Sequence, residues 1–132
     1  MSHSERCRFS FSDGRGGYCA IGMLCKLAGI INNEDSSLEA GYKISNSWKK
    51  SSKILRDLYG VDLIDPEGVL RMARIAREII YMNDYQSEKE VNEVLERYNL
   101  PLQVIDNEWI VTRPINGIEH IEACEERKLV AV

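Results

Sequence analysis

The sequence predicts an α+β fold: one mainly helical domain of about four to five helices, with a small antiparallel sheet or hairpin near the C-terminus. Three observations carry this. Apolar residues recur at helical spacing through the middle of the chain. Ser, Pro and Gly punctuate those segments where helices start and stop. Two short alternating segments flank Asp106-Asn107, a turn dipeptide, near the end.

The elements follow in order. Cys7 to Ser12 alternates Phe9 and Phe11 with polar residues, which predicts a short strand. Asp13 to Gly17 is a glycine-rich loop. Tyr18 to Gly29 predicts a helix that is apolar on nearly all sides, the pattern of a central, buried helix that Gly29 stops. Asn32 to Gly41 reads as a polar loop. A second helix is expected from Ser47 to Tyr59, with Trp48, Ile54, Leu55 and Leu58 as its core side and Gly60 as its C-terminal cap. Val61 to Ile64 is a short apolar stretch.

Asp65-Pro66-Glu67 is a helix start. Asp65 can accept backbone N–H bonds, and proline at the first helical position loses none. Val69, Met72, Ala73, Ala76, Ile79 and Ile80 then place that helix over residues 66 to about 83. Ser87 and Glu90 form a capping box for a fourth helix that runs to Tyr98, buries Val91, Val94 and Leu95, and ends at Asn99 and Pro101. Leu102–Ile105 and Glu108–Thr112 are the two strands of the hairpin. For residues 118–132 two readings stand. Glu/Ala/Arg/Lys content with Asn116 and Glu119 at cap spacing favours a helix, while Leu129 to Val132 fits a strand.

The 132 residues fit a single domain over 1–132, with 1–5 expected as a flexible tail. Hydrophobic residues at 44% and charged residues at 29% place the chain in the globular class and outside the disordered ones. No apolar run approaches the roughly 20 residues that span a bilayer, so no membrane partner is expected. The first residues lack the apolar core of a signal peptide. A cytoplasmic location and reduced thiols at Cys7, Cys19, Cys25 and Cys124 are the corresponding expectations. The net charge of −4 is unevenly spread: residues 43–83 carry eight Lys/Arg against five Asp/Glu, and residues 84–132 carry five against eleven.

Cys19 is the one candidate nucleophile. It follows a glycine loop and opens a helix, and a helix N-terminus stabilises a thiolate. Asp13-Gly-x-x-Gly-x-Cys19 resembles the nucleophile loop of papain-like cysteine proteases, in which a histidine comes late in the chain, as His120 does here. That resemblance implies a cysteine-dependent hydrolase using Cys19 and His120. In the family a glutamine stands where Asp13 stands; an anion there opposes an oxyanion. No Asn or Asp follows His120 to orient it. No metal or cofactor is expected. Cysteine and histidine spacings of the zinc kind are missing, and Cys19 and Cys25, six residues apart on a helix, point about 120° away from each other. The glycine loop lacks the Lys-Ser/Thr of a phosphate-binding loop.

Two basic faces are candidate binding surfaces. Lys49, Lys53 and Arg56 share one side of the second helix, and Arg71, Arg74 and Arg77 repeat every third residue on the third. They suit an acidic protein or, against the acidic pI of about 5.3, a nucleic acid.

Cys19-Ala-Ile-Gly-Met-Leu24 resembles the C-A-L-G-A-L-type helix of a family of small uncharacterised phage and bacterial proteins. In that family a later helix runs into an Asn-Asp pair followed by a short amphipathic helix, and Met82-Asn83-Asp84 followed by Ser87 to Tyr98 is similar to it. The resemblance spans residues 17–98. It implies a phage-encoded accessory protein, non-enzymatic, acting on a host or phage protein in the host cytoplasm, with inhibition of a bacterial defence as one such action. A protein partner is expected first and nucleic acid second; nothing in the sequence sets an oligomeric state.

Overall fold

The computed structural model describes residues 4–68 and 72–115. Arg71, His120, Cys124 and the two readings of residues 118–132 lie outside the described residues. Five helices are present among those described: α1 (Ala20–Leu27), α2 (Ser37–Asn46), α3 (Trp48–Tyr59), α4 (Arg74–Tyr85) and α5 (Glu88–Arg97). Four short strands join them: β1 (Glu5–Arg6), β2 (Gly17–Tyr18), β3 (Leu102–Ile105) and β4 (Glu108–Val111). The fold is α+β, mainly helical, in one domain, as the sequence predicts.

The hairpin β3–β4 forms in the expected register, with Val104 opposite Trp109. Asp106 and Asn107 both take positive φ, 51° and 66°, as a tight hairpin turn requires. The sheet is larger than a hairpin. Its order is β2-β1-β4-β3, with β1 antiparallel to β4 but parallel to β2, so the sheet is mixed. Glu5 of β1 pairs with Glu108 of β4, and the Ser4 carbonyl accepts the Trp109 N–H at 2.9 Å.

Helix α1 is the centre of the molecule, and all eight of its residues are buried. Gly22 is essential to its packing. A Cβ there would lie 1.9 Å from the Phe11 carbonyl oxygen, so backbone crosses the helix at that point. From the other direction, the Tyr59 hydroxyl donates to the Leu24 carbonyl at 2.6 Å and ties α3 to α1.

Four expectations are corrected. Cys7 to Ser12 is not a strand. The strand is β1 just before it, and the following residues bend across α1 with Phe9 at φ 66°. The two ends still meet β2, Cys7 through its amide and Ser12 through a single bridge to Tyr18, but the Phe9 and Phe11 amides bond to side chains of α4 and α2. The polar loop from Asn32 to Gly41 gives way to α2 at Ser37. Ser36 caps the Glu39 amide, and the Glu39 carboxylate returns a bond to the Ser36 amide.

The helix expected from Pro66 begins only at Arg74. Gly68 sits at φ 71° under the Trp48 ring, its amide closes a turn on Asp65, and Ile64 then pairs with Met72. A left-handed residue cannot continue a right-handed helix. Finally, the buried side of α3 is Ser51, Ser52, Leu55 and Tyr59, with Trp48, Ile54 and Leu58 only half-buried.

Helix α5 covers edge strand β3. The Asn92 side chain donates to the Val104 carbonyl at 2.8 Å and accepts the Val104 amide at 2.7 Å. One side-chain amide thus replaces a missing strand at that residue.

Candidate functional site

The two motifs of the phage-type resemblance meet in space. Asn83 is fully buried near the end of α4. Its Oδ1 accepts the Ala20 amide at the start of α1 at 3.1 Å, and its Nδ2 donates to the Cys7 carbonyl at 2.8 Å and to Asp84 Oδ1 at 3.1 Å. Asp84 Oδ1 also accepts the Phe9 amide at 2.9 Å. From the other side, Arg6 donates to the Asn83 and Gln86 carbonyls, both at 2.7 Å, placing a cation at the C-terminus of α4.

Cys19 caps α1. Its sulfur accepts the Gly22 amide at 3.3 Å, and the residue is 2% exposed. Burial pushes the thiol pKa up to about 12, although the Gly22 hydrogen bond pulls the other way. That is opposite to what an activated thiolate needs at neutral pH. Asp13, the residue in the glutamine position of the papain-like pattern, bonds the Arg15 amide at 2.7 Å and the Gly17 amide at 2.8 Å, holding the loop. His120 lies outside the described residues, so no Cys19–His120 distance is defined. Among the described residues, no group of three or more His, Cys, Asp or Glu is placed to hold a metal ion.

The expected basic faces differ from each other. On α3, the Lys49 ammonium lies 5.5 Å from the centre of the Trp48 ring, Lys53 pairs with Asp57 at 2.9 Å, and Arg56 pairs with Asp62 at 2.7 Å. Lys53 and Arg56 are therefore matched by their own neighbours. Arg74 and Arg77 are exposed on the first turn of α4 and make no ion pair among the described residues.

The same face of α4 continues with Tyr81 and Tyr85, at steps of four residues. They are 54% and 61% exposed, with ring centres 5.0 Å apart. Phe9, 66% exposed, meets Tyr85 edge-on at 5.4 Å. An aromatic residue at positive φ is strained, and the Asp84 carboxylate holds it there through the Phe9 amide. Beside this stack is a cavity of about 160 Å³ whose lining includes Phe9, Phe11, Ile80, Cys19 and Asp84. It is below the range of roughly 300–1,000 Å³ typical of small-molecule pockets and matches one inserted side chain.

Sequence reasoning missed these aromatics. Tyr81 and Tyr85 were readable from their spacing to Arg77, whereas Phe9 arrives through contacts some 75 residues apart in the chain. No described helix is long and apolar enough to cross a membrane. No family model matches the chain, and no curated protein or solved structure is significantly similar to it.

Proposed function

We propose that this chain is a non-enzymatic binding module whose contact surface is the α4 face running from Arg74 to Tyr85 and ending on Phe9. The observation that carries the reading is the exposed aromatic stack of Phe9, Tyr85 and Tyr81 in line with the exposed Arg74 and Arg77. Tyr and Arg are the residues that dominate binding energy at protein interfaces, and exposed apolar patches mark such sites. The partner that fits is an acidic protein surface offering one apolar side chain to the cavity beside Phe9.

The resemblance of the Cys19–Leu24 helix and the Asn83-Asp84 pair to small phage proteins supports an accessory role against a host or phage protein in the host cytoplasm. Inhibition of a bacterial defence is the specific form proposed. This kinship rests on two short motifs. Buried, protonated Cys19 argues against the hydrolase reading.

Affinity capture from bacterial lysate tests the proposal. The native chain is expected to retain a stoichiometric acidic protein, and the Tyr81→Ala/Tyr85→Ala variant to lose it. Recovery of no such partner counts against the reading. Retention on DNA or RNA with a steep salt dependence would assign the same Arg–Tyr face to nucleic acid instead.

A further inference from the structure

The α4 face leaves a second concavity unexplained, on α2 and α3. Ser47, which precedes α3, and Lys50, Ser51 and Ile54 on it fall at steps of three, one and three and so share one side. That side faces Tyr42 and Asn46 of α2 across a groove of about 440 Å³, closed by Gly29 and Ile30 after α1. The volume lies inside the range of roughly 300–1,000 Å³ for small-molecule sites.

Its chemistry is one-sided. No carboxylate lines the groove. Lys50 is exposed and makes no ion pair among the described residues, whereas Lys43, which also lines the groove, is held by Asp35 at 2.8 Å. Ser51 is 2% exposed and lines the groove, and its hydroxyl bonds to no other described residue. The groove also contains the start of the twelve-residue α3, where Ser47 makes no side-chain cap and the first turn carries no acidic residue. Ser47 is also the residue on which α2 ends, so the first amides of α3 meet the last carbonyls of α2 there, and an anion is favoured on the amide side, next to Lys50. Ile30 and Ile54, both half-buried, supply an apolar floor, and Tyr42 stands exposed at the rim.

We propose that the groove between α2 and α3 binds a small organic oxyanion, a phosphate or carboxylate carrying an apolar or aromatic body. The anionic head sits at the start of α3 against Lys50, the Ser51 hydroxyl and the Asn46 amide. The body lies on Ile30 and Ile54 under Tyr42. This site is separate from the α4 face, so either proposal can fail without the other.

The test is an amide NMR titration of the ¹⁵N-labelled chain with phenyl phosphate, benzoate, inorganic phosphate and phenol. Saturating shifts with phenyl phosphate or benzoate, centred on residues 29–30 and 46–51, at a Kd of about 1 mM or tighter, support the site. Whichever of the two binds more tightly names the head group. Lys50→Glu, a surface change, is expected to weaken binding at least about tenfold, one factor of ten per 1.4 kcal/mol. Ser51→Ala is expected to weaken it about threefold by removing a buried hydrogen bond. Arg74→Glu is expected to leave it unchanged. Phenol binding as tightly as phenyl phosphate overturns the anionic head, and inorganic phosphate binding as tightly overturns the apolar body. No saturating shift at these residues, or full binding by Lys50→Glu, overturns the proposal whether or not Ser51→Ala folds.

Discussion

Asn83, near the end of α4, accepts the Ala20 amide at the start of α1 at 3.1 Å, across 63 positions of chain. The same side chain donates to the Cys7 carbonyl at 2.8 Å. One amide thus joins the central helix, the N-terminal segment and α4, and an amide can do this because it both donates and accepts. Asn83→Ala leaves the Ala20 amide and the Cys7 carbonyl without those partners. At roughly 1–3 kcal/mol for each buried group left unsatisfied, the variant is expected to lose a large part of the domain's stability. Urea denaturation followed by circular dichroism measures this. A loss under about 0.5 kcal/mol, the level of an ordinary surface change, would show that water replaces both bonds.

Local signals account for what was legible in advance. The Ser87 cap of α5, the Gly60 stop of α3 and the Asp106-Asn107 turn each act within a few residues, so their meaning survives without the rest of the fold. Ser36 and Glu39 carry the same capping-box signal as Ser87 and Glu90, so α2 was readable too; the polar run around it masked the signal. The Asp65-Pro66-Glu67 start was misleading because Gly68, three residues on, takes φ 71° against Trp48 from another helix. The two-residue strands β1 and β2 exist through pairing alone, and no periodicity marks so short a segment. At the candidate site, the arginines were legible as a helical stripe. The placement of Phe9 beside Tyr85 was not, since it depends on Asp84 capturing a distant amide.

Two glycines are expected to respond in opposite directions to alanine. At Gly22 the new Cβ would stand 1.9 Å from the Phe11 carbonyl oxygen, so α1 and the crossing backbone must separate. Overpacking of this kind costs about 1–3 kcal/mol or more. At Gly41, inside α2, a new Cβ meets nothing within 4 Å. There the helix gains the alanine preference of roughly 0.5–1 kcal/mol. Thermal melts of Gly22→Ala and Gly41→Ala should move apart from the native midpoint, one down and one up.

Thiol chemistry separates the binding reading from the hydrolase reading. Cys7 is only half-buried, whereas Cys19 and Cys25 are buried and burial raises both their pKa values. Iodoacetamide at neutral pH is therefore expected to label Cys7 well before either of them, with Cys19 and Cys25 reacting only on unfolding. Peptide mapping by mass spectrometry reads the order. Rapid, selective labelling of Cys19 in the native protein would revive the nucleophile.

Two carboxylates give the stability an acid limb. Asp35 is held below the usual range first by its hydrogen bond from Lys43, and also by the Asn32 amide. Glu78 is held down first by the Tyr98 hydroxyl and then by Arg97. A carboxyl whose pKa is lower folded than unfolded leaves the native state with fewer bound protons. Its stabilisation is complete above the unfolded value near 4 and is lost as pH falls through the folded value. The urea midpoint should accordingly fall as pH is lowered from about 5 to 3, and Asp35→Asn with Glu78→Gln should flatten that fall. Because Lys43 and Arg97 are substantially exposed, salt should weaken both effects.

Asn92 protects the sheet as well as stabilising it. Val104 lies on edge strand β3, and both its amide and its carbonyl are engaged by the Asn92 side chain, at 2.7 and 2.8 Å. Asn92→Ala removes both bonds at once and leaves a donor and an acceptor on a strand edge, the arrangement that templates pairing with another chain. Asn92→Asp keeps an acceptor for the amide but sets an anion against the carbonyl, so it is expected to be at least as disruptive near neutral pH. Asn92→Ala should lower stability by about 1–3 kcal/mol and should also raise self-association with concentration. Denaturation reads the first and light scattering the second. Lost stability without self-association would mean that α5 still covers the edge once its hydrogen bonds are gone, which would assign the protection to packing by Val91 and Leu95 rather than to the amide.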